Sequence, residues 1–167
     1  MNDNIYSTHL RDLKKGITTP VRVVSPFCSD DMIVQAVWDT GASYSCITTR
    51  VAQQLKLPPH RKATTETLSG TRETATTILL SFPGNQRYCT WIEATEADRL
   101  PNGCDMLIGL DVISLGEFHL RHNHSGELIF EFEFSKERFI DYFSDNAELT
   151  LQKIAKAYQD ILLRREQ

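Results

Sequence analysis

One acidic residue stands out by its neighbours. Asp39 follows an apolar run, 32–38, and leads at once into Thr40, Gly41, Ala42 and Ser43. A carboxylate at the end of a buried strand is costly unless something pairs with it. Thr-Gly lets the backbone turn tightly and lets another chain approach closely. Such an acid is suited to moving a proton to or from a bound water. A second signal lies downstream, where Leu107 and Ile108 run into Gly109 between Asp105 and Asp111. Asp-Thr-Gly by itself is a weak sign, arising by chance in about 3% of chains this long at ordinary residue usage. Alone, Asp39 reads equally well as a turn residue or a helix N-cap. Its context gives it weight.

Other chemistry finds less support. His119, His122 and His124 cluster, but on a polar hairpin tip with no obvious fourth ligand, so no metal is expected. Asp105 and Asp111 read as turn and cap residues rather than a catalytic pair. There is no phosphate-cradling Gly-x-x-x-x-Gly-Lys-Ser/Thr loop, and none of the four cysteines has the local signature of a thiol protease.

The elements that must position these residues are mostly strands. Residues 17–27 are rich in Thr and Val, with Pro20 and Pro26 marking an edge or an interruption. Ser29, Asp30 and Asp31 signal a turn, so a hairpin delivers Asp39. Cys46-Ile47 reads as a short strand. Thr48 or Thr49 then caps a helix through 50–55, stopped before Pro58-Pro59. The Thr-rich stretch 62–80, broken at Ser69-Gly70, predicts a hairpin with arms 64–68 and 71–80. After the turn at Pro83-Gly84, residues 86–94 form a strand, with Tyr88, Thr90 and Ile92 on one face and Cys89, Trp91 and Glu93 on the other. Residues 106–108 are a buried strand. Segments 117–120 and 127–134 make a further hairpin, whose second arm sets Leu128, Phe130, Phe132 and Phe134 against Glu127, Glu131 and Glu133.

The two ends differ. Residues 1–16 are polar and read as an N-terminal arm, with Ser7 capping at most a short turn that holds Leu10 and Leu13. Residues 135–167 read as a helical C-terminal extension. Ser135 caps turns bearing Phe139, Tyr142 and Phe143, and Asp145 with Glu148 forms a capping box. Leu151, Ile154, Ala155, Tyr158, Ile161 and Leu162 share one helical stripe, which packs on its own domain or builds a dimer.

Bulk properties bound the rest. The chain has 167 residues, enough for one domain that buries about 70% of its unfolded surface without a disulfide staple. A net charge of −4 gives no basic footprint for nucleic acid. The apolar runs are far short of a membrane span, and the polar start Met1-Asn2-Asp3-Asn4 has no signal-peptide core. Cys28, Cys46, Cys89 and Cys104 are widely spaced and read as reduced thiols, so a cytoplasmic location and a free-standing product beginning at Met1 are expected.

Asp39-Thr40-Gly41-Ala42 after an apolar strand, with Leu107-Ile108-Gly109 later, resembles the retropepsins, the retroviral-type aspartic proteases. The resemblance spans roughly residues 17–134. It implies an all-β, retropepsin-like single-lobe acid-protease barrel, here with the α-helical extension appended. It implies an aspartic endopeptidase with Asp39 catalytic, Thr40, Gly41 and Ala42 supporting the site, and no cofactor. Leu68, Ser69, Gly70 and Thr71 fall about where the family carries its flap. A two-lobed pepsin would need a second Asp-Thr/Ser-Gly, and this chain has one. The resemblance therefore implies a homodimer whose two copies each supply one acid, acting on a peptide or protein. Retroviral enzymes often place an acid four residues after the catalytic Asp and an Arg just after the later glycine, and pair the two. Here Ser43 and Leu110 stand there, so neither charge is stranded. A catalytically silent module that binds a peptide in the same groove is the other reading.

Overall fold

The computed structural model describes residues 4–11, 13–14, 16–27, 30–59, 61–67, 70–141, 148–149, 152–153 and 156. Eleven strands and two short α-helices have both ends among them. In chain order the elements are β1 (Ile5–Leu10), β2 (Ile17–Val24), β3 (Asp31–Trp38), β4 (Cys46–Thr48), α1 (Thr49–Gln54), β5 (Arg61–Thr67), β6 (Gly70–Phe82), β7 (Asn85–Ala97), β8 (Met106–Ile108), α2 (Leu110–Ile113), β9 (Gly116–His122), β10 (Leu128–Phe134) and β11 (Ile140–Asp141).

Six strands close a barrel. Their order is β7-β4-β8-β3-β2-β6, and β6 pairs back onto β7 to complete the ring. Closure removes the exposed edges that an open sheet would leave. Strand β8 lies between β3 and β4, parallel to β3 and antiparallel to β4. It thereby brings the Leu-Ile-Gly segment beside the end of β3, about 70 residues earlier in the chain. β5 adds to β6 as the outer arm of a hairpin, and β11 adds to β7.

A separate three-stranded sheet, β1-β10-β9, packs on the barrel through aromatic rings. The alternation of β10 turns Phe130, Phe132 and Phe134 inward, all at most 1% exposed. Trp38 meets Phe130 and Phe132 at ring-centroid separations of 4.9 and 5.0 Å, and Phe82 meets Phe134 at 5.0 Å. Contacts of this kind add roughly 0.5–1.5 kcal/mol per pair beyond area burial. The Trp38 indole N–H donates to the Thr19 hydroxyl at 2.9 Å, so its polar edge is satisfied inside the core.

The N-terminal segment departs from the expected arm. Ile5–Leu10 is a strand paired along its length with β10. Tyr6 is 3% exposed, packs on Phe82, and donates its hydroxyl to the Pro20 carbonyl at 3.2 Å. Burial holds that hydroxyl's pKa above its ordinary value. Ser7 caps no turn; its hydroxyl points to the Glu131 carboxylate at 3.5 Å. Ile, Tyr and Thr suit a pleated, half-buried surface, and the long-range pairing with β10 overrides the polar average of the segment.

Beyond β10, the Ser135 carbonyl accepts from the Arg138 and Phe139 amides, which turns the chain. Phe139 then closes on Phe134 at 4.9 Å, and Ile140–Asp141 joins β7 as a strand where helix was expected. A two-oxygen ion pair from Arg87 to Asp141 fixes it. Residues 148–149, 152–153 and 156 are helical, and the Gln152 amide donates to Glu148 at 3.2 Å. Tyr142, Phe143, Asp145 and the stripe Leu151, Ile154, Ala155, Tyr158, Ile161 and Leu162 lie outside the described residues. Among the described residues no helix is long and apolar enough to cross a membrane. Cys46, Cys89 and Cys104 are buried and not joined in disulfides, while Cys28 lies outside the described residues.

Candidate active site

The end of β3 is anchored before Asp39 is reached. Val37 and Trp38 are buried and pair with Leu107 and Ile108 of β8. The ladder continues one step further, with the Asp39 amide donating to the Ile108 carbonyl at 2.9 Å. Asp39 itself is half-buried. Its Oδ1 accepts the Gly41 amide at 2.8 Å, and its carbonyl accepts the Ala42 amide at 3.2 Å. Thr-Gly-Ala is thus wrapped around the acid it follows. A Cβ on Gly41 would sit 3.2 Å from Asp39 Oδ1 and crowd the carboxylate. Among the described residues no donor reaches Oδ2.

Gly109 explains the downstream motif. A Cβ there would lie 2.7 Å from the Tyr44 carbonyl carbon, 2.8 Å from its oxygen and 2.9 Å from the Ala42 oxygen. Only a glycine lets the start of α2 lie against the backbone of residues 42–44. The contact is stitched by hydrogen bonds. The Leu110 amide donates to the Ala42 carbonyl at 2.8 Å, and the Asp111 amide to the Ser43 carbonyl at 3.2 Å. Leu107, Ile108 and Gly109 therefore support the Asp39 loop through their backbone.

A side-chain brace completes the arrangement. The Asp111 carboxylate accepts the Ser45 hydroxyl at 2.7 Å and the Ser45 amide at 3.0 Å. It also accepts the Val112 amide at 3.0 Å, which serves the first turn of α2. The Ser45 hydroxyl in turn accepts the Gly109 amide at 3.1 Å. Ser45 was not singled out from sequence, because its partner is 66 residues away. The available signal was a small hydroxyl residue immediately before the buried pair Cys46-Ile47. Asp105 plays a similar part at α1, accepting the Thr48 hydroxyl at 3.1 Å and the Arg50 Nε at 3.2 Å. The helix begins as expected at Thr49, although the Thr48 hydroxyl is spent on Asp105 and does not cap the helix backbone.

The remaining candidates fall apart from Asp39's loop or outside the described residues. Gly70 and Thr71 open β6, and Gly70 pairs with Thr67 across the hairpin tip; Leu68 and Ser69 lie outside the described residues. His119 approaches Glu117 at 3.8 Å. Among the described residues no three His, Cys, Asp or Glu side chains converge as a metal site would require. Ser43 and Leu110 are exposed and neighbour the loop, with Leu110 at 41% and the adjacent Tyr44 at 65%. A depression of about 540 Å³, lined by Asp30, Asp31, Met32, Gln54 and Leu55, opens at the far end of β3 from Asp39.

Solved structures of similar fold were found by comparison. The EIAV protease complexed with the inhibitor HBY-793 is 21% identical, covering 63% of this chain and 91% of its own, at a TM-score of 0.48. A retropepsin-like aspartic protease from Rickettsia conorii is 16% identical, covering 78% of this chain and 94% of its own, at a TM-score of 0.42. The retroviral protease-like domain of Ddi1 from Leishmania major is 14% identical, covering 71% and 94%, at a TM-score of 0.39. No curated protein is close enough in sequence to count as a relative. The model of the family described as "gag-polyprotein putative aspartyl protease" matches residues 29–115, a stretch that includes all of β3 to α2. With that match over half of its length and a barrel built around Asp39-Thr40-Gly41, the chain belongs to the retropepsin-like aspartic protease family.

Proposed function

We propose that the protein is an aspartic endopeptidase whose active form is a homodimer, with Asp39 of each copy forming one half of a carboxyl pair. The observation that carries this reading is the Asp39 carboxylate itself. It is half-buried, fixed through one oxygen by the Gly41 amide, and set in a loop braced at Gly109 and Asp111. Hydrolysis of a peptide bond at such a centre needs two carboxyl groups and a water between them. One acts as general base on the water while the other, protonated, polarises the substrate carbonyl. Two carboxylates about 3 Å apart cannot both ionise, so they share one proton and titrate as a pair. Each chain supplies one Asp-Thr-Gly, so the second acid comes from a second copy across a two-fold axis. Thr40 is exposed; in this reading it braces the two loops across the axis, and Gly41 leaves room for substrate backbone. The tip Leu68-Ser69-Gly70-Thr71 is the segment we assign to covering the substrate. A cytoplasmic location accords with the buried thiols of Cys46, Cys89 and Cys104.

The test is Asp39→Asn, assayed beside the parent on a peptide library. Cleavage is expected to disappear with the melting midpoint held within about 2 °C, because a half-buried isosteric change costs little. Statine-type peptides, whose hydroxyl takes the place of the attacking water, are expected to inhibit the parent, and chelators and thiol reagents are not. Full cleavage by the Asp39→Asn chain would end the assignment. Tight peptide binding by parent and variant alike, with no cleavage by either, would favour a silent binding module.

A further inference from the structure

We propose that the C-terminal segment, residues 142–167, docks as a helix on the outer face of β6 and β7 of its own barrel, with its apolar stripe turned onto Leu79, Cys89 and Trp91. Strands β6 and β7 have two faces, and both are closed to solvent. Alternation sends Ile78, Leu80, Tyr88 and Ile92 into the core shared by barrel and sheet. Leu79 and Ser81 of β6 point the other way, as do their cross-strand partners Trp91 and Cys89 of β7.

The second face of an antiparallel sheet is commonly wet. Here it is dry. Leu79 is 5% exposed, Ser81 4% and Cys89 0%, in a single chain. Trp91 is half-buried, and its indole N–H is shut off from solvent yet meets no acceptor among the described residues. The main contacts of β6 among the described elements run to the strands beside it, β7, β5 and β2. Neighbours in a sheet pair along its edges and leave its faces open. Another part of the same chain therefore covers this face.

The C-terminal segment has the starting point, the length and the pattern to do so. It begins beside this face, because Ile140 pairs with Cys89 and Asp141 with Tyr88, and Arg87 holds Asp141 there. Glu148, Leu149, Gln152, Lys153 and Lys156 are helical and all exposed. At 3.6 residues per turn these five positions span an arc of about 140°. The sequence puts Leu151, Ile154, Ala155, Tyr158, Ile161 and Leu162 in the opposite arc, about 120° wide. A helix whose polar side is in water lays its apolar side on something. One covering residues 146–162 is about 25 Å long, and residues 75–81 of β6, all buried, extend about 20 Å. Leu79 and Cys89 are buried without a second copy, so the stripe is occupied within one chain and is not free to join two.

Two measurements on the full chain test the docking. In the first, thiol labelling is followed at each cysteine by mass spectrometry. Ile154→Asp sets a charge in the apolar stripe and is expected to lift the segment from the barrel. Cys89 should then label at least about tenfold faster than in the parent, while Cys46 and Cys104 keep their rates, since one region can open without the rest. Lys153→Asp, on the exposed arc, should leave Cys89 at the parental rate. An unchanged Cys89 rate in the Ile154→Asp chain would overturn the placement. Equal acceleration of all three cysteines would do the same, because the stripe would then support the whole molecule rather than this face. In the second measurement, Trp91 is replaced by p-benzoylphenylalanine, a photo-cross-linking aromatic residue, and isotope-labelled and unlabelled chains are mixed before illumination. Cross-links are expected to residues 151–162 within chains of one isotope. Cross-links between isotopes would give the face to a second copy, and cross-links to barrel strands alone would remove the segment from it; either result overturns the assignment. Neither measurement involves cleavage, so the outcome does not depend on the protease reading.

Discussion

Replacing Gly109 with Ala probes how the fold holds Asp39 in place. The new methyl would start 2.7–2.9 Å from three backbone atoms of Tyr44 and Ala42. Ordinary contact begins near 3.4 Å, so the loop and α2 must part by about 0.7 Å. Backbone atoms cannot swing aside as the end of a flexible side chain can. The separation acts directly on the Leu110–Ala42 hydrogen bond at 2.8 Å and on the Gly109 amide's bond to Ser45 Oγ at 3.1 Å. Forced overpacking of this kind costs roughly 1–3 kcal/mol. For a chain of this size, 1 kcal/mol moves the melting midpoint by about 2–4 °C, so a fall of roughly 2–12 °C is expected. Activity should suffer more than stability. A reacting group misplaced by about 1 Å loses on the order of 100-fold in rate, and this loop carries Asp39. Calorimetry and kcat/KM on a cleaved peptide, both at a temperature where the variant is folded, measure the two effects. A Gly109→Ala chain with parental melting and parental kcat/KM would refute the claim that this contact positions the loop.

Further outcomes follow from the same contacts. Asp111→Ala leaves the Ser45 hydroxyl and the Ser45 amide without their acceptor, while the Val112 amide keeps the Gly109 carbonyl, and is expected to cost roughly 1–3 kcal/mol in urea unfolding. Combined with Ser45→Ala it should show a coupling of about 0.5–3 kcal/mol, and strict additivity would mean the two do not act as one brace. Phe132→Ala removes a fully buried ring that touches Trp38, Phe82, Phe134 and Phe139, and is expected to cost about 3–5 kcal/mol, with a smaller loss counting against the aromatic seam as the joint between sheet and barrel. Burial holds the Glu96 carboxyl above the ordinary carboxylate range, so the native state binds that proton more tightly than the unfolded chain does. Stability should therefore fall as pH rises from the ordinary value through the raised one, and Glu96→Gln should flatten that part of the profile of melting midpoint against pH. Parallel profiles for parent and variant would show that Glu96 makes no such contribution.

What could be read in advance was local. The apolar run ending at Trp38, the small residues after Asp39 and the alternation of Leu128 to Phe134 each carry their own period, and the structure has β3 and β10 there. The glycine after Leu107-Ile108 was legible as a close approach, but what it approaches was not, since residues 42–44 are more than 60 positions away. β1 escaped notice because Ser7 and His9 face outward and dilute a short strand whose partner β10 lies about 120 residues downstream. Ile140–Asp141 was absorbed into a helical reading, because nothing near it announces the Arg87 that holds it. β7 runs three residues past the expected end, to Ala97, because β4 pairs there after β6 leaves off. In each case a tertiary partner decided, and a single sequence does not display its partners.

The absence of the acid and the arginine that the resemblance leads one to expect at positions 43 and 110 then has a physical reading. Ser43 and Leu110 occupy those positions, yet the loop after Asp39 is not left unsupported. An acid is still used, one residue after Leu110, but it needs no cation. Asp111 takes three donors, two backbone amides and one hydroxyl, all from its own chain. Three hydrogen bonds to a carboxylate satisfy its charge without the cost of bringing a second ion out of water. The brace is also short-range and uncharged on the donor side, so salt should weaken it less than it would an exposed ion pair. A single chain therefore holds its Asp39 loop in shape with its own donors. Tyr44 and Leu110 are left exposed beside this brace. Dimerisation at this site would then bring two already formed half-sites together, and its affinity would depend on apolar contact. Added salt should strengthen or spare such association, whereas a dimer held by an arginine–carboxylate pair in the retroviral manner would weaken. Sedimentation of the parent chain at low and high ionic strength distinguishes the two, and a strong loss of dimer in salt would contradict the picture of a pre-formed, uncharged brace.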